Sequence, residues 1–321
     1  MKSFSLFLVV AVIAALTACA SAQPRNDDGM TGVSLHAITA DGMTRPFLVH
    51  EPEGYEPDAP LVILLHGGGG SMQKVLRQPH GEEWRKLSTQ EGFLLVAPNG
   101  INARTGKPDG QRQSWNDHRE NPDDSRADDV SFILSLIDWA AEKYGIDRAR
   151  VYLSGASNGG MMTYRLLAEQ PERFAGGAAF IANLPESTPD VLREGTPVPI
   201  LIVNGTDDPL MLWEGGVVGQ KAKRDRVLST HDSVEWWKDR NDAPEDRTEI
   251  AALPDPAKDG CKLTVEKYGH TVWLVTMQGG GHAPPTLIDR RFRGQRAYER
   301  MAGNSCHDIS GAAYAWGFFN Q

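Results

Sequence analysis

Short apolar runs separated by polar and turn-forming segments recur along the chain and predict β-strands. Two segments flank Asp41-Gly42 and predict a hairpin, because this dipeptide favours the tight turns that join antiparallel strands. Continuous apolar runs are typical of strands that are buried on both faces of a sheet. The hairpin arms are residues 33–38 and 45–50, and the runs are residues 61–65, 93–97, 151–153, 200–203 and 272–277.

Between these runs, apolar residues spaced three and four positions apart predict amphipathic helices. The clearest helix starts at a cap on Asp128 or Asp129 and ends near Gly145. Its apolar face comprises Val130, Ile133, Leu134, Ile137, Ala141 and Tyr144. Further helices are predicted after Ser157 and over residues 233–239. Strands alternating with helices predict one α/β domain over residues 30–321, with a mostly parallel sheet covered by helices on both faces.

Composition and charge narrow the function classes. The chain has 321 residues, of which 40% are hydrophobic and 23% charged, which excludes a disordered or collagen-like protein. Its 33 Lys and Arg residues against 42 Asp and Glu residues give a net charge of −9. This acidic balance argues against nucleic acid as a partner, because phosphate contacts require basic side chains.

The first 22 residues have the features of a signal peptide. Lys2 precedes an apolar run over residues 4–16, which is too short to span a bilayer as a helix. Two processing sites compete: cleavage after Ala22, or a lipobox over residues 16–19 that makes Cys19 a lipid-modified N-terminus. The lipobox is favoured because all its positions match, and residues 23–29 then form a polar tether. We therefore expect an exported protein, either a periplasmic or outer-membrane lipoprotein or a secreted one, with no membrane contact beyond this anchor.

Export changes the interpretation of the two remaining cysteines, Cys261 and Cys306. In an oxidising compartment a disulfide between them is expected, with two buried thiols as the alternative. Neither cysteine lies in a motif for a nucleophile or for zinc. No metal or organic cofactor is expected, because no His and Cys cluster has ligand spacing.

A Gly-x-Ser-x-Gly motif over residues 155–159 carries the candidate chemistry. It lies between a predicted strand and a predicted helix, as a nucleophile elbow requires. The small residues allow a sharp turn that exposes the Ser157 hydroxyl, and the helix directs its N-terminal amides at an oxyanion formed there. The alternative is an ordinary serine in a glycine-rich turn.

A serine nucleophile needs a base and an acid that orients the base. Asp207 and Asp208 both follow the strand at residues 200–203 and compete for the role of the acid. Asp208, which directly precedes Pro209, is the predicted acid, and Asp207 is the alternative. His282 is the predicted base, because it follows three glycines after the strand at residues 272–277. The competing histidines, located at predicted turns or helix starts or in a polar loop, are His118, His231, His270 and His307.

The glycine-rich segment after residues 61–65 predicts an oxyanion hole. Backbone N–H groups of Gly68 or Gly69 are the donor candidates, and the second donor is the amide of Asn158. His66 is expected to brace this loop. Trp115 and Trp213 are candidate substrate contacts, with ordinary packing as the equal alternative.

Together these motifs resemble the exported polyhydroxybutyrate depolymerase and feruloyl esterase family. The resemblance runs from about residue 30 to the C-terminus and rests on LHGGGG (65–70), SWND (114–117), DDVSFI (128–133), GIDR (145–148), VYLSGASNGGMM (151–162), GTDDP (205–209) and GGGH (279–282). It implies an α/β-hydrolase fold and a serine carboxylesterase with Ser157, Asp208 and His282 as its triad. Residues 283–285 are Ala-Pro-Pro where members of the family often have Thr-Trp-Pro, so an aromatic wall is missing.

The sequence thus predicts hydrolysis of a carboxylic ester through an acyl-enzyme, without a cofactor. Hydroxybutyrate-type oligomers, feruloylated or acetylated polysaccharides and small aryl esters are all candidate substrates. Two alternatives remain: a serine peptidase on the same fold, and a non-catalytic surface lipoprotein that binds polymer or carbohydrate.

Overall fold

The computed structural model describes residues 29–119, 125–219, 226–290 and 295–321, without the side chains of residues 295–298. The predicted leader, its cleavage site, Cys19 and the tether up to residue 28 lie outside the described residues. Within these ranges, no helix has the length and apolar character needed to cross a membrane.

A ten-stranded sheet forms the centre of the molecule, in the order β1-β2-β4-β3-β5-β6-β7-β12-β11-β10. Its middle, from β4 to β12, is parallel, and antiparallel strands lie at both edges. Its strands are β1 (Val33–Ala40), β2 (Met43–His50), β3 (Leu61–Leu65), β4 (Leu94–Pro98), β5 (Val151–Ala156), β6 (Gly176–Phe180), β7 (Ile200–Gly205), β10 (Glu249–Ala252), β11 (Lys262–Tyr268) and β12 (Val272–Gln278); β8 (Gly216–Val217) and β9 (Arg226–Val227) form a separate ribbon.

Helices cover both faces of this sheet. They are α1 (Met72–Arg77), α2 (Pro79–Glu91), α3 (Asp129–Tyr144), α4 (Asn158–Glu169), α5 (Thr230–Asn241), α6 (Gln295–Ala302) and α7 (Gly311–Phe319). The side chains of β3 alternate between two cores. Leu61, Ile63 and Leu65 pack with α3, α4 and α5, whereas Val62 and Leu64 pack with α1, α2 and α7. The predicted mostly parallel sheet with helices on both faces is therefore confirmed.

Local sequence signals position several of these elements. Asp41 and Gly42 both have positive φ, 49° and 71°, as the turn of the β1–β2 hairpin requires. The side chain of Asp128 caps α3 by accepting a hydrogen bond from the Ser131 N–H, and Gly145 ends the helix in the left-handed region. These outcomes match the predicted hairpin and helix.

Candidate active site

Ser157 occupies the sharp turn between β5 and α4, with φ 56° and ψ −123°. Flanking glycines make this turn possible, because the backbones around them come too close for a side chain. A Cβ on Gly155 would lie 2.2 Å from the Gly159 carbonyl oxygen, and one on Gly159 would lie 2.5 Å from that of Leu65. The strand–turn–helix arrangement therefore has the geometry expected of a nucleophile elbow.

Three predicted residues from different strand ends come together at this turn. The Nε2 atom of His282 lies 3.0 Å from Ser157 Oγ, and its Nδ1 atom lies 2.6 Å from Asp208 Oδ2. An ionised carboxylate only accepts hydrogen bonds, so Nδ1–H donates to Asp208 and leaves Nε2 free to accept the serine proton. This chain of hydrogen bonds is the one that activates a serine hydroxyl in hydrolases.

Asp208, and not its neighbour, faces the histidine. Its side chain is buried, and Oδ1 accepts hydrogen bonds of 2.8 Å from the amides of Leu210 and Met211. These amides fix the carboxylate and leave Oδ2 for His282. Asp207 is exposed and accepts a hydrogen bond from the Thr206 hydroxyl.

The loop carrying His282 is tied to the segment before α7. Gly281 donates to the Asn304 carbonyl at 2.7 Å, and the His282 N–H donates to the Ala302 carbonyl at 2.5 Å. Cys306, two residues beyond Asn304, forms a disulfide with Cys261, which lies directly before β11. The disulfide therefore anchors the segment that supports the histidine loop.

The competing histidines have other surroundings. His118 pairs with Glu169 at 2.6 Å, His231 packs against Trp213, and His307 contacts the Thr286 carbonyl through Nδ1. His270 is exposed in the turn between β11 and β12. Within the described ranges, none of the four hydrogen-bonds to Ser157 or Asp208.

One of the two predicted glycine donors is already engaged. The N–H of Gly69 donates to the Gln113 carbonyl at 2.8 Å, so the expectation that it faces an oxyanion is wrong. The amides of Gly68 and Asn158 make no hydrogen bond to another described residue. A Cβ on Gly68 would lie 3.4 Å from Asn158 Cβ, which places these two segments side by side. Gly68 and Asn158 therefore remain as the candidate pair of donors.

His66 is a neutral brace of the glycine loop. Burial lowers the pKa of His66 to about 4, so the ring carries no charge at neutral pH. Its Nε2 accepts from the Gly100 N–H at 3.0 Å. Nδ1 consequently carries the hydrogen and donates to the Gly67 carbonyl at 2.9 Å. These bonds connect the glycine loop to the loop that follows β4.

A cavity of about 570 Å³ opens beside Ser157 and His282. Its apolar wall comprises mainly aliphatic side chains, including Val75, Pro79, Ile181, Pro284, Ile288 and Met301, and its polar lining includes Lys74, Arg290 and His307. No Trp, Tyr or Phe side chain among the described residues lines it. Sequence reasoning missed this wall, because residues from α1, α2, the loop after β6 and the loop after His282 form it only once the sheet assembles.

The two tryptophans proposed as substrate contacts lie elsewhere. Trp115 is fully buried, and its indole N–H donates to the His66 carbonyl at 2.8 Å. Trp213 is half-buried, packs edge-on against His231 at 5.4 Å between ring centroids and does not line the cavity. Burial excludes Trp115 from stacking on a substrate, which corrects the first expectation, and its position leaves Trp213 without a place in this cavity.

Comparison with known proteins identifies the class. The model of the prolyl oligopeptidase family matches residues 83–184. A Nocardia uniformis subsp. tsuyamanensis protein named "Putative esterase NocK" is 30% identical over 267 residues, covering 77% of this chain and 73% of that protein. Feruloyl esterase C of Emericella nidulans is 27% identical over 177 residues, covering 54% of this chain and 58% of that enzyme. The chain thus spans less than two thirds of the second relative.

A solved structure of similar architecture is the acetyl xylan esterase from Aspergillus awamori. It superposes with a TM-score of 0.57 over 83% of this chain and 98% of that one, at 15% sequence identity. This likeness confirms the predicted α/β-hydrolase fold. Together with the sequence relatives, it shows that the chain belongs to the α/β-hydrolase esterases, hydrolases that act on ester bonds.

Proposed function

We propose that this esterase is a serine carboxylesterase that works through a covalent acyl-enzyme on Ser157. Oγ of Ser157 attacks the ester carbonyl carbon while His282 Nε2 takes the hydroxyl proton. The bond from this carbon to the alcohol oxygen then breaks, and the alcohol leaves with the proton held by His282. Water, deprotonated by His282, attacks the acyl-enzyme, releases the carboxylic acid and restores the serine hydroxyl.

Asp208 orients the imidazole and stabilises its protonated form. The observation that carries the proposal is the continuous hydrogen-bonded chain from the buried Asp208 carboxylate through His282 to Ser157, at 2.6 Å and 3.0 Å. A serine in an ordinary glycine-rich turn has no need of such a chain.

The amides of Gly68 and Asn158 receive the negative charge on the carbonyl oxygen. Asn158 is the first residue of α4, so the positive end of the helix dipole adds to its N–H. Preorganised donors of this type are typically worth about 10²–10³ in turnover each, because they meet charge that exists only in the transition state.

The cavity favours esters whose bound portion is larger than an acetyl group. Its volume falls in the range of about 300–1,000 Å³ that holds drug-sized ligands. Its aliphatic wall suits an aryl ester such as a feruloyl group, or a hydroxybutyrate-type oligomer. The similarity to a feruloyl esterase supports the first class.

We also infer export from the first 22 residues, with Cys19 as the lipid attachment site. The lipobox and the apolar run before it support this assignment. An exported esterase would meet polymeric esters outside the cytoplasm.

The match to the prolyl oligopeptidase family over residues 83–184 favours a peptidase as the second candidate function. This segment contains Ser157, but neither Asp208 nor His282. Ester and amide hydrolysis use the same acyl-enzyme chemistry, so the leaving group decides between the two functions.

A substrate panel on the purified mature protein tests both functions. It would include p-nitrophenyl esters, methyl ferulate, hydroxybutyrate oligomers, acetylated xylan and matched peptide p-nitroanilides. We expect turnover of aryl or oligomeric esters that exceeds acetate release, with no comparable amide cleavage. Faster cleavage of the anilides would establish the peptidase instead.

A fluorophosphonate probe separates the enzyme from the non-catalytic polymer-binding alternative. We expect labelling of the wild type that disappears in Ser157→Ala. A folded wild-type protein that takes up no probe would exclude the proposed serine mechanism.

A further inference from the structure

We propose that the buried side chains of Asn158 and Trp115 are positioning residues that fix the separation between the two amides of the oxyanion hole. The inference rests on the proposed serine mechanism, because those amides act only when Ser157 attacks an ester. Neither residue is among those lining the cavity, so the side chains of Asn158 and Trp115 are not expected to contact substrate; only the backbone amide of Asn158 does so.

The side chain of Asn158 holds its own backbone amide in place through three hydrogen bonds. Its Oδ1 accepts from the Trp115 N–H at 2.8 Å. Its Nδ2 donates to the Trp115 carbonyl at 3.1 Å and to Asp117 Oδ2 at 2.6 Å. Both amide hydrogens and the carbonyl oxygen are therefore used, which permits only one orientation of the side chain.

Asp117 makes this arrangement rigid. It is fully buried, and its carboxylate forms a bidentate ion pair with Arg119, at 2.7 Å to Nη2 and 3.1 Å to Nε. The carboxylate oxygen that pairs with Arg119 Nη2 also accepts the hydrogen bond from Asn158 Nδ2. A hydrogen bond to an ion-paired carboxylate is charge-assisted and stronger than a bond between neutral groups.

Trp115 connects this segment to the other donor. Its backbone binds Asn158, while its indole N–H binds the carbonyl of His66, two residues before Gly68. The indole also packs against the His66 ring, with 4.7 Å between centroids. One rigid, fully buried residue therefore links the Asn158 amide to the glycine loop.

The expected kinetic effect follows from when the oxyanion forms. Removing one oxyanion-hole donor costs roughly 10²–10³ in turnover. Allowing the two donor amides to move from their fixed separation should therefore cost about 10–100-fold. The negative charge exists only in the transition state, so the loss falls on kcat and leaves KM within about twofold.

Two variants each remove hydrogen bonds made by the side chain of Asn158 or Trp115 and retain the backbone amides of the oxyanion hole. Asn158→Ala retains the backbone N–H and the Cβ, and Trp115→Phe removes the indole N–H. We would measure kcat, KM and the inhibition constant of an aryl boronic acid, which forms a tetrahedral adduct on the serine with an oxygen in the oxyanion hole. We expect kcat to fall about 10–100-fold and boronate binding to weaken in parallel.

Asn241→Ala is the matched control. Asn241 is also buried, and its side chain also makes three hydrogen bonds. It bridges the backbone of Val198, at 3.0 Å to the N–H and 2.8 Å to the carbonyl, and its Nδ2 donates to the Thr271 carbonyl at 3.4 Å. It lies at the end of α5 and does not line the cavity. This control should lower the melting temperature to an extent similar to that of Asn158→Ala and leave kcat unchanged.

The outcomes separate this inference from the proposed function. Wild-type kcat in folded Asn158→Ala and Trp115→Phe would overturn the inference, as would a rise in KM without loss of kcat. Should one variant fail to fold, the other decides. Activity retained by Ser157→Ala would instead overturn the serine mechanism itself.

Discussion

Arg45 on β2 and Asp129 at the start of α3 form an ion pair of 2.6 Å in which neither side chain is exposed. The second oxygen of Asp129 accepts from the Asn116 N–H at 2.8 Å. The pair therefore joins the edge hairpin to the loop that carries Trp115 and Asp117. A buried pair of this kind holds structure mainly because each charge would be costly without the other.

Asp129→Ala should destabilise the protein by about 3–5 kcal/mol, because it leaves the Arg45 guanidinium buried without its counter-charge. Urea denaturation at pH 7 measures the change. The control is Asp138→Ala, which removes the ion pairs of an exposed carboxylate with Arg148 and Arg173 and should cost about 1 kcal/mol or less. Equal effects in the two variants would show that burial does not strengthen the Arg45–Asp129 pair.

Separate alanine substitutions of the adjacent residues Asp207 and Asp208 identify the acid of the triad. Asp208→Ala and His282→Ala should fold normally and lose at least about 10⁴-fold in kcat, because the serine would lack an oriented base. Asp207→Ala removes an exposed carboxylate and should retain nearly full activity in the same p-nitrophenyl ester assay. The reverse result for the two aspartates would transfer the acid role to Asp207.

Buried neutral histidines should make stability fall on acidification. Burial lowers the pKa of His50 and of His66 to about 4 and that of His80 to about 3. Each of these histidines binds a proton near pH 6.5 in the unfolded chain but only near pH 3–4 in the folded chain. Their contribution to the free energy of unfolding is therefore fully present above pH 6.5 and is lost as the pH falls towards 4. Each histidine should contribute about 2 kcal/mol of that loss between pH 7 and 5.

Denaturant titrations at pH 7, 6 and 5 test this dependence. His50→Gln should reduce the slope of stability against pH by nearly one proton between pH 6 and 5. A flat wild-type profile over this interval would contradict the proposed burial of neutral rings.

The disulfide should affect both stability and turnover. Cys261 and Cys306 are 45 positions apart, so the crosslink should stabilise the fold by about 4 kcal/mol on the loop-entropy account. Replacing both by serine should lower the melting temperature. It should also reduce kcat at temperatures at which the variant is still folded, because the segment that the disulfide anchors holds the loop of His282. Unchanged kcat at 25 °C would limit the disulfide to a role in stability.

Cys19 can be tested by the mass of the mature protein. Expression in a bacterium that processes lipoproteins should yield a membrane-associated form carrying lipid on Cys19. Cys19→Ser should abolish this mass increase and release active enzyme to the soluble fraction. A wild-type mature N-terminus at Gln23 would instead support cleavage after Ala22.

Strong local signals explain which elements could be predicted. The apolar runs, the turn at Asp41-Gly42 and the cap at Asp128 each act within a few residues, and the structure places elements there. β6 was missed because Gly176-Gly177-Ala178-Ala179 lacks the β-branched residues typical of strands. The glycine at 177 is explained by α4, because a Cβ there would lie 2.8 Å from Leu167 Cδ1 and 3.0 Å from Thr163 Cγ2.

In the candidate site too, features set by local sequence could be predicted, whereas features set by contacts between distant residues could not. Ser157, Asp208 and His282 each follow a recognisable strand, so their meeting at one edge of the sheet could be predicted. The engagement of Gly69 depends on Gln113, and the burial of Trp115 depends on His66 and Asn158. These contacts join residues more than forty positions apart, and no local pattern reports them.

The positive φ of Ser157 has a thermodynamic consequence for the whole molecule. A residue with a Cβ is disfavoured in such a conformation by roughly 1–2 kcal/mol, whereas glycine tolerates it. Ser157→Gly should therefore give a protein that melts at a higher temperature than the wild type and can no longer form an ester adduct. The most stable version of this fold would therefore be an inactive one, because the backbone conformation that presents the hydroxyl lowers the free energy of unfolding.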